Sequence, residues 1–127
     1  GLAVMAHPAI TGGLFAPDHG IAAEILLGDL FRAAGADMVI YPNQGGRFGL
    51  STAQCERIND HLRRPLGDLR AALPTPGGGV AVNAAGAWAR RYGRDTLFLI
   101  GGSLYKQADI AAASRQLIDA LEAAHEQ

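Results

Sequence analysis

The chain has 127 residues, of which 49% are hydrophobic and 18% are charged, and its formal net charge is −1. This length and apolar fraction predict one compact soluble domain and exclude a second domain, a disordered chain and a polyelectrolyte tail. We expect no nucleic-acid partner, because no basic stripe is present, and no membrane partner, because no apolar run approaches the ~20 residues of a membrane-spanning helix.

Four apolar runs, each followed by a glycine-marked loop and a segment with helical spacing, predict an α/β fold built from four βα units. The first unit has a strand over residues 2–6 and a loop that Pro8 keeps irregular. Its helix is predicted over residues 19–34, where apolar residues recur at helical spacing, and Gly35 ends it.

The second unit has a strand over residues 38–41, which runs into a glycine-rich loop. Its helix begins at Ser51, because a serine followed three residues later by a glutamine is typical of a capping box. Pro65 breaks this helix, and we expect the helix to resume through Leu66 and Leu69.

The third and fourth units are more interrupted. The third strand lies within residues 71–80 and is short, because it contains two prolines and ends in glycines. The next helix has residues 80–82 at its entry and ends near Gly93. The fourth strand is predicted over residues 96–100, and a final helix over residues 108–124.

Four successive βα units fit two architectures, a small doubly wound sheet or half of a (βα)8 barrel, whose usual size is ~250 residues. Both architectures place ligands at the carboxyl ends of the strands. Those ends carry the least ordinary residues of this chain, which are His7 and the loops at 45–47, 77–79 and 101–103. We therefore expect any functional site on that face.

Two of these loops are predicted to hold a phosphate. Backbone N–H groups at glycine turns bind phosphate well, since a side chain would block its approach. Gly78, Gly79, Gly101 and Gly102 fit that need, and they follow consecutive strands, as the recurrent phosphate site of a barrel does. The alternative is that these glycines only form tight turns.

Three polar residues near the strand ends are further candidates. His7 could act as an acid, a base or a substrate donor, since its ordinary pKa lies near neutrality, or it could be structural. Arg47 could close over an anionic group with its fork of donors, or it could be a solvated loop arginine. Lys106, the single lysine, could face the phosphate, although a surface role is favoured.

Other kinds of site have no support in the residues. No acidic cluster has the spacing of metal ligands, so no metal-binding residue is predicted in this chain. The order and spacing of a serine hydrolase triad, a dinucleotide fingerprint and a P-loop are also missing. No complete catalytic set is present.

The loops hold, in chain order, the segments 7–12 (HPAITG), 19–21 (HGI), 34–37 (AGAD), 46–48 (GRF), 77–79 (GGG) and 101–102 (GG). Each segment alone is weak, but the ordered set resembles the carboxyl-terminal half of the RuBisCO large-chain superfamily. More particularly, it is similar to the type IV members, the RuBisCO-like proteins. The resemblance covers most of the chain.

This resemblance implies that residues 1–127 are a fragment of a longer protein and form the second half, strands five to eight, of a (βα)8 TIM barrel. It implies a Mg²⁺ cofactor whose ligands, in the family, lie on an earlier strand outside this chain. It also implies a homodimer or larger assembly of the full-length protein. The half-barrel alone should be inactive.

The sequence departs from the RuBisCO pattern at informative positions. Arg47 stands where true RuBisCO carries a catalytic lysine, which argues against carboxylase activity. One of the family's two phosphate pockets uses side-chain donors, and the matching positions here are Pro8, Ile40 and Gly77, which have none. The glycine backbone pocket is kept. We therefore expect a substrate with one phosphate.

The resemblance implies an enzyme that acts on a monophosphorylated keto-sugar or keto-acid through a Mg²⁺-stabilised enediolate. We favour a decarboxylase or lyase of the 3-oxo-isoapionate 4-phosphate type, in which His7 contacts the reacting oxygens and Arg47 closes its loop over the carboxylate. The alternatives are a 2,3-diketo-5-methylthiopentyl-1-phosphate enolase or isomerase of methionine salvage, and a non-catalytic phosphate-binding α/β module.

The cellular compartment is predicted from cysteine usage and the first residues. Cys55 is the only cysteine, so no internal disulfide can form, which suits a reducing cytoplasm. Residues 1–6 form a strand-like run without a basic leader, so we expect no targeting segment.

Overall fold

A computed structural model describes residues 1–16 and 18–125. Its strands are β1 (Met5–Ala6), β2 (Phe15–Ala16), β3 (His19–Gly20), β4 (Met38–Pro42) and β5 (Leu73–Gly77). Its helices are α1 (π-helical Ile25–Leu30 followed by α-helical Phe31–Ala33), α2 (Thr52–Arg63), α3 (Ala85–Tyr92), α4 (Gly102–Tyr105) and α5 (Ile110–His125). Short 3₁₀ turns cover Thr11–Leu14 and Val82–Ala84. Among the described helices, none has both the length and the apolar character needed to cross a membrane.

The main sheet is parallel and follows the order of the chain. Strand β4 lies between β1 and β5, with Met38 opposite both Met5 and Leu73. Beyond β5, Leu99 forms a parallel bridge with Gly77. The strand order in the described residues therefore has no reversal of the kind that marks a doubly wound sheet.

The predicted fourth strand over residues 96–100 is only this single bridge, and Pro76 explains why. The Leu97 and Leu99 amides donate to the carbonyls of Pro74 and Pro76, at 2.9 and 3.0 Å. In a parallel ladder the return bond to the Leu97 carbonyl would come from the amide of residue 76, and a proline has no N–H. One return bond of the ladder is therefore missing at this edge.

The first helix begins later than predicted, since residues 19–20 pair with residues 15–16 in a small antiparallel hairpin. Gly20 has a positive φ of 106°, and a Cβ there would overlap the Leu14 carbonyl oxygen. The Ile21 amide donates to that same oxygen at 2.7 Å. These contacts keep the chain extended up to α1.

Helix α2 begins as predicted, because Ser51 and Gln54 form both hydrogen bonds of the capping box. The predicted resumption of the helix after Pro65 is wrong, since Gly67 turns the chain with a φ of 53°. The turn is held instead by Arg32 of α1, a buried guanidinium that donates to the carbonyls of His61, Arg64, Leu69 and Arg70.

Helices α1 and α2 pack closely on one face of the sheet. Gly28 makes this possible, since a Cβ there would lie 2.6 Å from the His61 Cβ. The resulting core contains Leu27 of α1, Ile58 of α2 and Val39 of β4, all fully buried.

The other face of the sheet is apolar and largely uncovered. By the alternation of side chains along a strand, it carries Met5, Met38, Ile40, Leu73, Leu97 and Leu99 together with the buried Thr75, and we call it the open face. Four of these residues are 40–46% exposed in the described structure. Parallel sheets normally have both faces covered.

Candidate phosphate-binding site

The loops after β4 and β5 touch backbone to backbone. A Cβ on Gly79 would lie 2.6 Å from both the Gln44 oxygen and the Gly46 nitrogen, and Gly79 itself has a φ of 70°. A Cβ on Gly46 would lie 3.1 Å from the Asn43 oxygen. Glycine is thus required at Gly79 and favoured at Gly46 by the packing of the two loops, before any ligand is considered.

A cavity of about 510 Å³ opens where these loops meet the loop that follows residues 96–100. It is lined by Gly45, Gly78, Gly79, Val80, Ala81, Leu99, Ile100, Gly101, Gly102, Ser103, Lys106 and Gln107. The structure therefore brings together all four glycines that the sequence singled out for phosphate. They approach from two successive loops at the carboxyl end of the sheet.

Two polar side chains hold the walls of this cavity in place. The Ser103 hydroxyl donates to the Val80 carbonyl at 2.7 Å, which ties α4 to the loop after β5. The Gln107 amide donates to the Ser103 carbonyl at 2.9 Å. Lys106 is exposed on the same wall and makes no hydrogen bond or ion pair with the residues that the structure describes.

The other two predicted site residues lie outside this cavity. His7 is exposed directly after β1, and Arg47 is exposed in the loop after β4. Neither is among the residues that line the glycine cavity. Their predicted contacts with substrate remain predictions.

A buried polar pair that the sequence analysis missed supports the loop after β4. The Tyr92 hydroxyl donates to the Asn43 side-chain oxygen at 2.8 Å, and the backbone N–H of Asn43 donates to the Gly77 carbonyl at 3.0 Å. Burial raises the pKa of Tyr92, so its hydroxyl stays protonated and remains a donor. The sequence did contain a signal for this pair. Tyr92 lies on the inner side of a helix, and a buried tyrosine hydroxyl requires a hydrogen-bond partner.

A second cavity, of about 730 Å³, lies between the hairpin of β2 and β3 and the start of α2. Its apolar lining includes Phe15, Ile21 and Leu50. At its edge Arg57 and Glu24 form an ion pair of 2.8 Å. Burial opposes ionisation of Glu24, but hydrogen bonds from its backbone and from Arg57 outweigh it and lower the pKa of the carboxyl. No residue that the sequence singled out for function lies here.

The described residues do not fit the Mg²⁺ ion that the resemblance implies. They contain no group of three or more His, Cys, Asp or Glu side chains placed to hold a metal ion. Among the described residues, His7 is the only such side chain directly after a main-sheet strand, and Asp29 is engaged by Arg64 and His61 between the helices. The described part of the chain therefore supplies no metal-binding group for a reaction step.

Comparisons with known proteins identify relatives of the chain, although no family model matches it. It is 43% identical over 104 residues to a ribulose bisphosphate carboxylase-like protein of Rhodopseudomonas palustris. It is 41% identical over 109 residues to a 5-methylthioribulose-1-phosphate isomerase of Rhodospirillum rubrum. A putative 2,3-diketo-5-methylthiopentyl-1-phosphate enolase of Shouchella clausii is 32% identical over 124 residues. These matches cover 82%, 86% and 96% of this chain.

Solved structures agree with these relatives. A Rubisco-like protein from Rhodopseudomonas palustris superposes with a TM-score of 0.79 at 38% identity, over 96% of this chain and 31% of its own. An octameric Rubisco from Pyrococcus horikoshii gives a TM-score of 0.84 at 28% identity, over 97% of this chain and 30% of its own. The α/β fold with a parallel sheet is therefore confirmed.

The chain spans about 30% of the length of the curated relatives that it matches, with 27%, 28% and 33% for the three named above. The ordered loop segments, the parallel sheet and these identities point to one family. The chain is a homologue of the RuBisCO-like proteins, consistent with a carboxyl-terminal fragment of the RuBisCO large-chain superfamily.

Proposed function

We propose that this chain forms strands five to eight of a (βα)8 barrel within a longer RuBisCO-like enzyme. Three observations support the proposal. The main sheet follows chain order without reversal, its open face is apolar, and the matched relatives are about three times as long. In a closed barrel that open face would line the packed interior.

The proposed role of this part of the enzyme is to bind the phosphate of the substrate. The observation that carries it is the cavity in which Gly78, Gly79, Gly101 and Gly102 converge. Backbone N–H groups at such turns can surround phosphate oxygens, and only glycine allows the approach. The loops after the last two strands of a barrel form this kind of site repeatedly.

The proposed substrate is a monophosphorylated keto-sugar or keto-acid. The second phosphate pocket of the family has no donor side chain at the matching positions here. At one of these positions, Gly77, the space that a side chain would occupy is taken by Leu99, since an added Cβ would lie 3.2 Å from the Leu99 side chain. Two relatives are named for acting on 1-phosphate substrates. One phosphate group is therefore the better fit.

The reaction proposed first is enolisation or isomerisation, because the relatives are named as an isomerase and an enolase. A decarboxylase or lyase of the 3-oxo-isoapionate 4-phosphate type is the second candidate, and the exposed Arg47 in the loop after β4 favours it. In either reaction His7 would contact the reacting oxygens from the end of β1. The full-length protein would act in the cytoplasm as a homodimer or larger assembly.

A third candidate is a phosphate-binding α/β module without catalysis. It predicts that the longer protein lacks the lysine and acidic metal ligands of the family upstream of residue 1. The sequence of the longer protein therefore separates this candidate from the two enzymes.

Calorimetric titration with mono- and bisphosphorylated sugars tests the proposed ligand. We expect the monophosphate to bind at least as tightly as the bisphosphate, and Gly102→Ala to weaken binding, because a Cβ there enters the cavity without meeting other atoms. Gly12→Ala is the matched control, since its Cβ also meets nothing within 4 Å and lies outside the cavity. Tighter binding of the bisphosphate would contradict the single-phosphate proposal.

A further inference from the structure

We infer that Lys106 is the cationic ligand of this cavity and that it contributes to binding the phosphate together with the glycine loops. The inference rests on the proposed function and deepens it, because it assigns a side chain to a site so far described by its backbone. The sequence alone favoured a surface role for this residue.

Of the residues that line the cavity, only Ser103, Lys106 and Gln107 have polar side chains. The Ser103 hydroxyl donates to the Val80 carbonyl, and the side-chain amide of Gln107 donates to the Ser103 carbonyl. Among the described residues, Lys106 has neither a hydrogen bond nor an ion pair, so all of its donors are available.

The cavity lining carries no negative charge. No Asp or Glu lines the cavity, so the ammonium group meets no competing carboxylate there. The next acidic residue along the chain, Asp109, accepts a hydrogen bond from the Ala112 amide at 2.8 Å at the start of α5. Phosphate carries up to two negative charges near neutral pH, and glycine backbone alone supplies only dipoles. A cation in the wall supplies the missing charge.

The position of Lys106 relative to the glycines is set by the short helix α4. Lys106 follows Gly102 by four residues, and its own backbone is still helical, with φ −84° and ψ −6°. Residues four apart lie on one face of a helix, which explains why both line the same cavity. The lysine stem can therefore carry its ammonium group over the mouth formed by Gly101 and Gly102.

An NMR titration of the ¹⁵N-labelled chain with inorganic phosphate, at a concentration at which light scattering shows a monomer, tests this inference. We expect shifts of the amides of Gly78, Gly79, Gly101 and Gly102, and a Kd that rises about three- to tenfold in Lys106→Met. Lys106→Arg should keep most of the affinity. Arg115→Met is the control for net charge, since Arg115 is exposed on α5 outside the cavity, and its Kd should stay within about twofold of the original.

Added salt gives a second readout. Raising ionic strength should weaken phosphate binding more in the original chain than in Lys106→Met, because the variant has lost the charge that salt screens. Glycine shifts with an unchanged Kd in Lys106→Met would overturn the role of Lys106 and leave the phosphate site standing. If the glycine amides of the original chain do not respond to phosphate, the proposed phosphate site falls, and the inference falls with it.

Discussion

Single residues decide how the loop after β4 is held, and Asn43 is the clearest case. It is fully buried, it accepts from Tyr92, and its side-chain nitrogen has no partner among the described residues. Such a residue is costly to bury, so its one side-chain hydrogen bond matters more than an average one. The loop that carries Arg47 therefore depends on a tyrosine far away in the sequence.

Tyr92→Phe tests this dependence. Removing the hydroxyl leaves the Asn43 side-chain oxygen buried without a donor, which we expect to lower the free energy of unfolding by about 1–3 kcal/mol. Urea unfolding followed by circular dichroism measures the change. Tyr105→Phe is the control, since Tyr105 is 77% exposed, and it should change stability by less than about 0.5 kcal/mol. Equal stabilities of the two variants would show that the buried pair does not hold the loop.

At the scale of elements, the two helices that cover the sheet are joined by charge as well as by packing. Asp29 of α1 accepts from Arg64 at 2.6 Å and from His61 at 3.0 Å. Burial opposes ionisation of Asp29, but the hydrogen bonds from Arg64 and His61 outweigh it and lower the pKa of the carboxyl. The contact between α1 and α2 is therefore strongest when Asp29 is ionised.

Acid should loosen this contact. Because the pKa of Asp29 is lower in the folded chain than in the unfolded one, its contribution is complete above the unfolded value and is lost as pH falls through the folded value. We expect the unfolding free energy to fall from about pH 5 downward, and to fall less steeply in Asp29→Asn. Urea unfolding at pH 7, 5, 4 and 3 measures both slopes. Asp119→Asn, an exposed change on α5, should leave the original slope intact.

The elements also show what could be predicted from the sequence and what could not. The capping box at Ser51 was predictable because both of its partners lie within four residues. The hairpin before α1 was not, because it depends on a close approach of Gly20 to the Leu14 carbonyl that exists only in the folded chain. The glycines that line the glycine cavity were predictable from their order after successive strands, whereas the pairing of Asn43 with Tyr92 could be found only from the contacts themselves.

At the scale of the whole molecule, the open face dominates how this chain should behave alone. Leu97 and Leu99 are 40% and 46% exposed there, on a sheet edge whose ladder is incomplete. Contiguous exposed apolar surface promotes association. A closed barrel would bury the open face and pair the exposed edge. The proposed complete enzyme should therefore self-associate through these surfaces far less than this segment does.

Size-exclusion chromatography with light scattering tests this expectation. The chain alone should self-associate in a concentration-dependent manner, and Leu97→Lys with Leu99→Lys should shift it towards the monomer. Ile10→Lys is the control, because Ile10 is 98% exposed in a loop and lies off the open face. A monomeric original chain at high concentration would instead favour a free-standing α/β domain.

The missing N–H of Pro76 has a consequence for recognition. The Leu97 and Leu99 amides donate to the Pro74 and Pro76 carbonyls, but Pro76 has no N–H to donate back to Leu97, so the two walls of the glycine cavity meet at an incomplete parallel ladder. The hydrogen bond from the Ser103 hydroxyl to the Val80 carbonyl is an additional connection between those walls. The contact between these two walls therefore depends on the Ser103 side chain more than it would in a complete parallel ladder.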